Sequence, residues 1–356
     1  LRPGQQILLF SNRKEFEDGT DPNVAVTRFF AEGYTGGGFS TRFALLNDDP
    51  TRTATVTFEF LVKFGPVLTA TRTIPPLRRL TLNAAADVPG LTDVEFSTSI
   101  RSNLEIAADR TMTWDQTTYG AHAETGVAAP ASTWYLAEGA TIGGFQLFYL
   151  IQNPNSVPVD VRVRYLLSGI APVEEVVTIG PKTRETLWVN TRTAQGISLD
   201  GQQLSAVVTS DPSLPIIVER ALYRDPSGNF SFPAGHASAG VNTTGTRWLL
   251  AEGSTEGFDQ FVLLANPNDT AATVTLTFLL PQGAPIQRIR QVPANQRDTV
   301  WLNLDAALAS TAVSTIVTSD VPIIVERAMW WPAAPDFSTS QWFEAHNSAG
   351  SQSTAQ

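Results

Sequence analysis

The chain of 356 residues carries a net charge of −10, 42% hydrophobic residues and no cysteine. That length suits two to four domains of roughly 100–150 residues, and the missing cysteine excludes disulfides, thiolate metal sites and cysteine nucleophiles together. Lysine and arginine are scattered, which excludes the clustered basic surface that nucleic acid or an anionic membrane requires, and no run approaches the ~18–20 apolar residues of a membrane span.

Residues 1–27 come first and match nothing later in the chain. They hold the short apolar run Ile7-Leu8-Leu9-Phe10, for which two roles are open. It pairs back onto the first domain, or it adds a strand to a neighbouring molecule's sheet, making the protein a filament subunit. The chain opens on Leu1 and not Met, as expected of a processed, truncated or mature product.

From residue 28 the sequence repeats itself. Arg28-Phe29-Phe30-Ala31-Glu32-Gly33 returns as Trp134-Tyr135-Leu136-Ala137-Glu138-Gly139 and as Trp248-Leu249-Leu250-Ala251-Glu252-Gly253. An Asn closes an apolar run later in each unit: Asn47, Asn153 and Asn266. A second follows at Asn83, Asn190 and Asn303. Then Ala108-Asp109-Arg110-Thr111-Met112 matches Val218-Glu219-Arg220-Ala221-Leu222 and Val325-Glu326-Arg327-Ala328-Met329, and each unit ends near a histidine: His122, His236 or His346. The units run over 28–127, 134–241 and 248–350, with short linkers at 128–133 and 242–247 and a polar, flexible tail from Ser348, beyond any repeat by 351–356.

Inside a unit the period is two. Val56, Phe58, Phe60 and Val62 alternate with Thr55, Thr57, Glu59 and Leu61, as do Val274, Leu276 and Phe278 with Thr273, Thr275 and Thr277. That pattern puts one face of an antiparallel sheet on a core and the other in water. Asn-Pro-Asn and Pro-Gln-Gly turns punctuate the runs. The expected fold is therefore all-β: three tandem antiparallel β-sandwiches of seven or eight strands each, with no helix beyond a single turn.

The segments Trp-Tyr-Leu-Ala-Glu-Gly, Asn-Pro-Asn and Pro-Ile-Ile-Val-Glu-Arg-Ala-Met-Trp-Trp resemble the tandem repeats of uncharacterised bacterial cell-surface proteins. The stretch from Asn-Pro-Asn through Val-Thr-Ser-Asp-Val-Pro-Ile-Ile-Val is similar to the sandwich of the sensory rhodopsin transducer family. The first resemblance spans residues 28–350 and implies a surface protein. The second concerns fold alone, and neither implies a catalytic residue. Repeat 1 departs most, with Phe29 for Trp and Ala-Asp-Arg for Val-Glu-Arg.

Arg110, Arg220 and Arg327 fall on the apolar faces of their strands, in phase with Ile106, Ile216 and Ile323. A guanidinium taken into a core needs a carboxylate, because it cannot shed its proton. Glu32, Glu138 and Glu252 are the expected partners, one ion pair inside each unit. A ligand-binding arginine is the other reading, but one copy per unit fits a demand of the fold. His122, His236 and His346 are each alone in their unit, without the paired spacing of a zinc site, and are expected to bond backbone in a turn. The turns Asn47-Asp48-Asp49 and Asn266-Pro267-Asn268-Asp269 offer oxygen ligands for calcium, although Asn and Asp serve turn geometry equally well. Trp330, Trp331 and Trp342 are expected on an open surface, because no unit follows the third.

The expected function is an extracellular, cell-surface structural or adhesive protein, not an enzyme. Its partners would be other copies of itself or cell-surface components. The alternative is a carbohydrate-binding array that stacks glycan on aromatic platforms.

Overall fold

A computed structural model describes residues 26–114, 120–229, 232–331 and 342–353. The first sandwich comprises β1 (Val26–Phe30), β2 (Ser40–Asn47), β3 (Ala54–Val62), β4 (Val67–Ile74), β5 (Arg78–Asn83), β6 (Phe96–Ser102), β7 (Ala107–Trp114) and β8 (Gly120–Thr125), with one helical turn at Ala84–Asp87. The second has β9 (Thr133–Leu136), β10 (Phe145–Asn153), β11 (Val159–Leu167), β12 (Val173–Ile179), β13 (Thr183–Trp188), the short pair β14 (Thr193–Ala194) and β15 (Ile197–Ser198), β16 (Leu204–Thr209), β17 (Ile217–Arg224) and β18 (Ala234–Ala239). The third has β19 (Gly245–Leu250), β20 (Asp259–Asn266), β21 (Ala272–Leu279), β22 (Ile286–Val292), β23 (Gln296–Trp301), β24 (Ser314–Trp331), β25 (Glu344–Ala349) and β26 (Ser351–Gln352).

Each of the first two units is a pair of four-stranded antiparallel sheets. The orders are β1-β6-β3-β4 with β5-β2-β7-β8, then β9-β16-β11-β12 with β13-β10-β17-β18. In the third unit the two strands corresponding to β16 and β17 fuse into β24, which pairs with β19 and β21 in one sheet and with β20 and β25 in the other. The alternating positions fall where a half-buried strand puts them: Ala54, Val56, Phe58 and Phe60 are fully buried, while Thr55 is exposed and Thr57 and Glu59 are half-buried.

The repeated asparagines hold turns together. Asn153 is fully buried, and its amide nitrogen donates to the carbonyls of Val157, Ile179 and Gly180 at 2.9, 3.2 and 2.7 Å. Asn47 and Asn266 do the same for Arg52, Ile74 and Pro75, and for Thr270, Val292 and Pro293. One side chain thus ties a hairpin loop to the end of a second strand in every unit, so these turns spend their amides on backbone.

Three details differ from the sequence reading. Val26 and Thr27, assigned to the arm, belong to β1 and pair with Ser102 and Arg101, while Ile7, Leu8, Leu9 and Phe10 lie outside the described residues. Gly245–Arg247, assigned to a linker, belong to β19. Ser348–Ala349 complete β25, and Ser351–Gln352, assigned to the flexible tail, pair with β19, where the Gln352 amide also bonds Thr243. In each case an open strand edge recruits a short stretch that lacks the alternating apolar pattern of a longer strand.

Candidate functional site

The chemistry of this chain is concentrated where one sandwich meets the next. Every residue of β17 is buried, on both faces of the strand. Alternation sends Val218, Arg220 and Leu222 one way and Glu219, Ala221 and Tyr223 the other. The first set closes its own core and meets unit 3, whereas the second set leaves the unit and packs on unit 1.

Arg110 lies fully buried with Nη2 3.0 Å from Glu32 Oε2, and Nη1 donates to the Glu32 carbonyl at 2.9 Å. A second carboxylate completes the cluster: Glu219 Oε2, from the next unit, sits 2.5 Å from Arg110 Nη1. The same carboxylate accepts the backbone N–H groups of Ala31 and Glu32 at 2.8 and 3.3 Å. The arrangement repeats one unit on. Arg220 Nη2 is 3.3 Å from Glu138 Oε2 and Nη1 is 2.8 Å from Glu326, whose carboxylate accepts the N–H groups of Ala137 and Glu138 at 2.9 and 3.1 Å. In the third unit Arg327 Nη1 lies 3.4 Å from Glu252, and no carboxylate from another unit joins it among the described residues.

Glu219 and Glu326 are not among the site residues expected from the sequence, where the arginine beside each stands out on the apolar face of its strand. The signal was available: Ile217, Ala221, Ile324 and Ala328 flank these glutamates on their own face, and a strand apolar on both faces is covered on both.

Around each cluster the interface is apolar and aromatic. The core of unit 2 runs without a break into Phe29, Ala31 and Trp114 of unit 1 and into Phe261, Leu263, Trp330 and Trp342 of unit 3. Trp330 and Trp342 are therefore buried against Phe145 at the junction, not displayed on an open surface, because alternation along β24 aims Trp330 back at unit 2. Trp331, one residue on, faces the opposite way and packs on Phe258. A cleft of about 360 Å³ remains at the first junction, lined by Glu32, Tyr34, Arg184, Phe148 and Tyr223. At the second junction tryptophans stand where the first has Tyr223 and Phe232, and the cleft shrinks to about 80 Å³.

The histidines occupy strands, not turns, and meet side chains. His122 is buried with Nε2 3.0 Å from the Tyr223 hydroxyl and 3.6 Å from Glu32 Oε2, and His236 Nε2 lies 3.2 Å from Glu138 Oε2. His346, in the third unit, is exposed. Among the described residues no group of three His, Asp or Glu side chains could hold a metal ion.

The two junctions differ in charge. Burial pushes the Glu32 carboxyl up to about 7, with Arg110 opposing and Glu219 reinforcing. Burial likewise raises Glu124 to about 8, with Glu219 adding to the effect. At the second junction Glu138 falls below the usual carboxylate range: burial alone would raise it, but His236 and Arg220 outweigh that. His122 is held well below its ordinary value by burial and by Arg110, so it stays neutral.

No family model matches the chain, and none of the curated proteins compared with it matches in sequence. Solved structures similar to part of it include Thermotoga maritima 1070, 13% identical over 33% of this chain and 100% of that one, with a TM-score of 0.28. The Anabaena sensory rhodopsin transducer is 25% identical over 24% and 97%, with a TM-score of 0.22. A tetra-tandem repeat in the extending region of a large adhesion protein is 15% identical over 85% and 68%, with a TM-score of 0.14. TM-scores this low carry no functional argument.

Proposed function

We propose that this protein is a structural spacer of the extracellular or cell-surface kind, in which three sandwiches are locked in series so that the array resists bending and extension. The observation that carries this reading is the continuous burial across both junctions. Units joined by flexible linkers do not share a core, and they do not commit charged groups to one another out of water, where mispairing is costly. With a buried carboxylate in each junction, rotation of one unit on the next strands an arginine, and the relative orientation is therefore defined.

Small-angle scattering of the purified protein tests the mechanical part: a single rigid particle is expected, and Glu219→Lys broadens the distance distribution. A wild-type profile that only a flexible ensemble can fit would sink the proposal. Labelling of an epitope-tagged chain on intact cells tests the location, and a tag reached only after lysis would reject it. Turnover of a substrate, abolished by one point substitution, would replace the structural reading with an enzymatic one.

A further inference from the structure

The two junctions are one interface used twice, head to tail. The tail of a unit offers two backbone N–H groups, a buried arginine and an aromatic rim. The head of the next unit inserts a glutamate between apolar side chains. In strand register, the residue opposite that acid is Leu150 in unit 2 and Leu263 in unit 3, with Phe148 and Phe261 two positions before.

The two ends of the array are built differently. In unit 1 the head positions hold Asp109 in place of glutamate, Ala44 opposite it and Arg42 in place of phenylalanine. Asp109 accepts the Thr125 hydroxyl at 2.8 Å, and Arg42 is exposed. This face is polar and lacks the glutamate, leucine and phenylalanine that the other two heads insert. The tail of unit 3 keeps the full acceptor set. Arg327 is buried, with Nη1 donating to the Glu252 carbonyl at 2.6 Å, as Arg110 and Arg220 do to their own glutamates. Phe258 stands where Phe145 receives Trp330. Among the described residues no carboxylate accepts the N–H groups of Ala251 and Glu252. Glu252 itself has a side chain 75% exposed, against 5% for Glu32 and 7% for Glu138. Those two are held down by the incoming unit, through the Tyr223 hydroxyl on Glu32 and the Asn347 amide on Glu138.

We propose that the tail of unit 3 is a docking site for a further β-sandwich unit whose head carries a glutamate flanked by leucine and phenylalanine, as units 2 and 3 do and unit 1 does not. Its carboxylate would bridge Arg327 and the N–H groups of Ala251 and Glu252, and the polar head of unit 1 makes the array polar, open to extension at this end.

The chain itself supplies the probe. A donor chain carries Arg42→Phe, Ala44→Leu and Asp109→Glu, which give unit 1 a unit-2 head, together with Phe258→Asp, which closes its own tail. It is prepared at full length and from Val26 onward, and titrated against wild-type chain as acceptor by sedimentation velocity. The expected result is a one-to-one complex whose Kd rises at least tenfold when the acceptor carries Arg327→Gln or, if that variant fails to fold, Phe258→Asp. No complex with either donor at about 100 μM, where a micromolar contact would be saturated, overturns the proposal. So does a complex that survives both acceptor substitutions. Either outcome leaves the rigidity of the three existing units a separate question, answered by scattering.

Discussion

Glu219 and Arg220 are neighbours in sequence that serve different domains: Glu219 reaches back to Arg110 of unit 1, and Arg220 holds Glu138 of its own unit and Glu326 of unit 3. One peptide bond therefore links both junctions. A β-strand achieves this by its period, since successive side chains leave opposite faces and β17 is covered on both.

The first prediction concerns the worth of that contact. Arg110→Ala leaves Glu32 and Glu219 buried without their cation and should cost about 3–5 kcal/mol, and Glu219→Ala, which leaves Arg110 paired with Glu32 alone, should cost less. The double variant should cost clearly less than their sum, with a coupling of roughly 1–3 kcal/mol from a double-mutant cycle in chemical denaturation. Additive losses would mean that the two residues act independently despite their 2.5 Å separation.

The second concerns pH. Glu32 and Glu124 bind protons more tightly folded, at about 7 and about 8, than the ordinary carboxylate value of 4.5. The folded state therefore holds extra protons between 4.5 and about 8, and their contribution is complete below 4.5 and lost as pH rises through that interval. His122 acts in the other direction: its depressed value costs stability as pH falls below 6.5. The melting temperature of the first junction should decline from pH 6.5 to 8.5, and Glu124→Gln should flatten the decline. The second junction has Ser238 at the position equivalent to Glu124, bonded to Arg220 Nη2 at 2.6 Å, and supplies no such slope. An unchanged slope in Glu124→Gln would remove Glu124 from the account.

The third concerns the loop clamp. Asn153→Ala takes one amide from three buried or half-buried carbonyls, and unsatisfied buried acceptors cost about 1–3 kcal/mol together with the lost bonds. A total near 3 kcal/mol is expected, with Asn153→Asp no better, because a carboxylate cannot donate. If Asn153→Asp is as stable as wild type, the amide nitrogen is not what matters.

The all-β repeat was plain in the sequence because hydrophobic alternation and recurring landmarks are local signals. Glu32 and Arg110 could be paired from face and charge alone. Their third partner could not, because Glu219 lies 109 residues from Arg110 and its role depends on how two units dock. The same limit hid the fate of Trp330 and Trp342, which bury against Phe145 of the preceding unit, Trp330 from β24 and Trp342 from the segment just before β25. Asp109 stands in repeat 1 where the other units have a glutamate, and among the described residues it stays within its own unit, accepting the Thr125 hydroxyl.

The last prediction tests the glycine of the Ala-Glu-Gly landmark, which the sequence marks but does not explain. Gly139 has no positive φ, so conformational freedom is not the requirement. Its carbonyl accepts Leu204 N at 2.9 Å, and this bridge brings the chains so close that a Cβ at Gly139 would stand 2.6 Å from the Leu204 carbonyl oxygen. Gly33 and Gly253 are in the same position against the carbonyls of Phe96 and Val313, at 2.8 and 2.5 Å. A backbone carbonyl stands in the way at all three, joined by the Phe96 ring at Gly33 and the Gln260 side chain at Gly253, and backbone cannot swing aside as a side chain would. Gly139→Ala must push β16 away from the Ala137-Glu138 N–H groups that Glu326 binds, so it should cost about 1–3 kcal/mol and weaken the second junction with it. Gly169→Ala, at a loop where nothing lies within 4 Å of the added Cβ, is the control for strain at a positive φ of 77° without crowding. If scattering shows the second junction as rigid in Gly139→Ala as in wild type, the glycine serves the fold of its own unit alone.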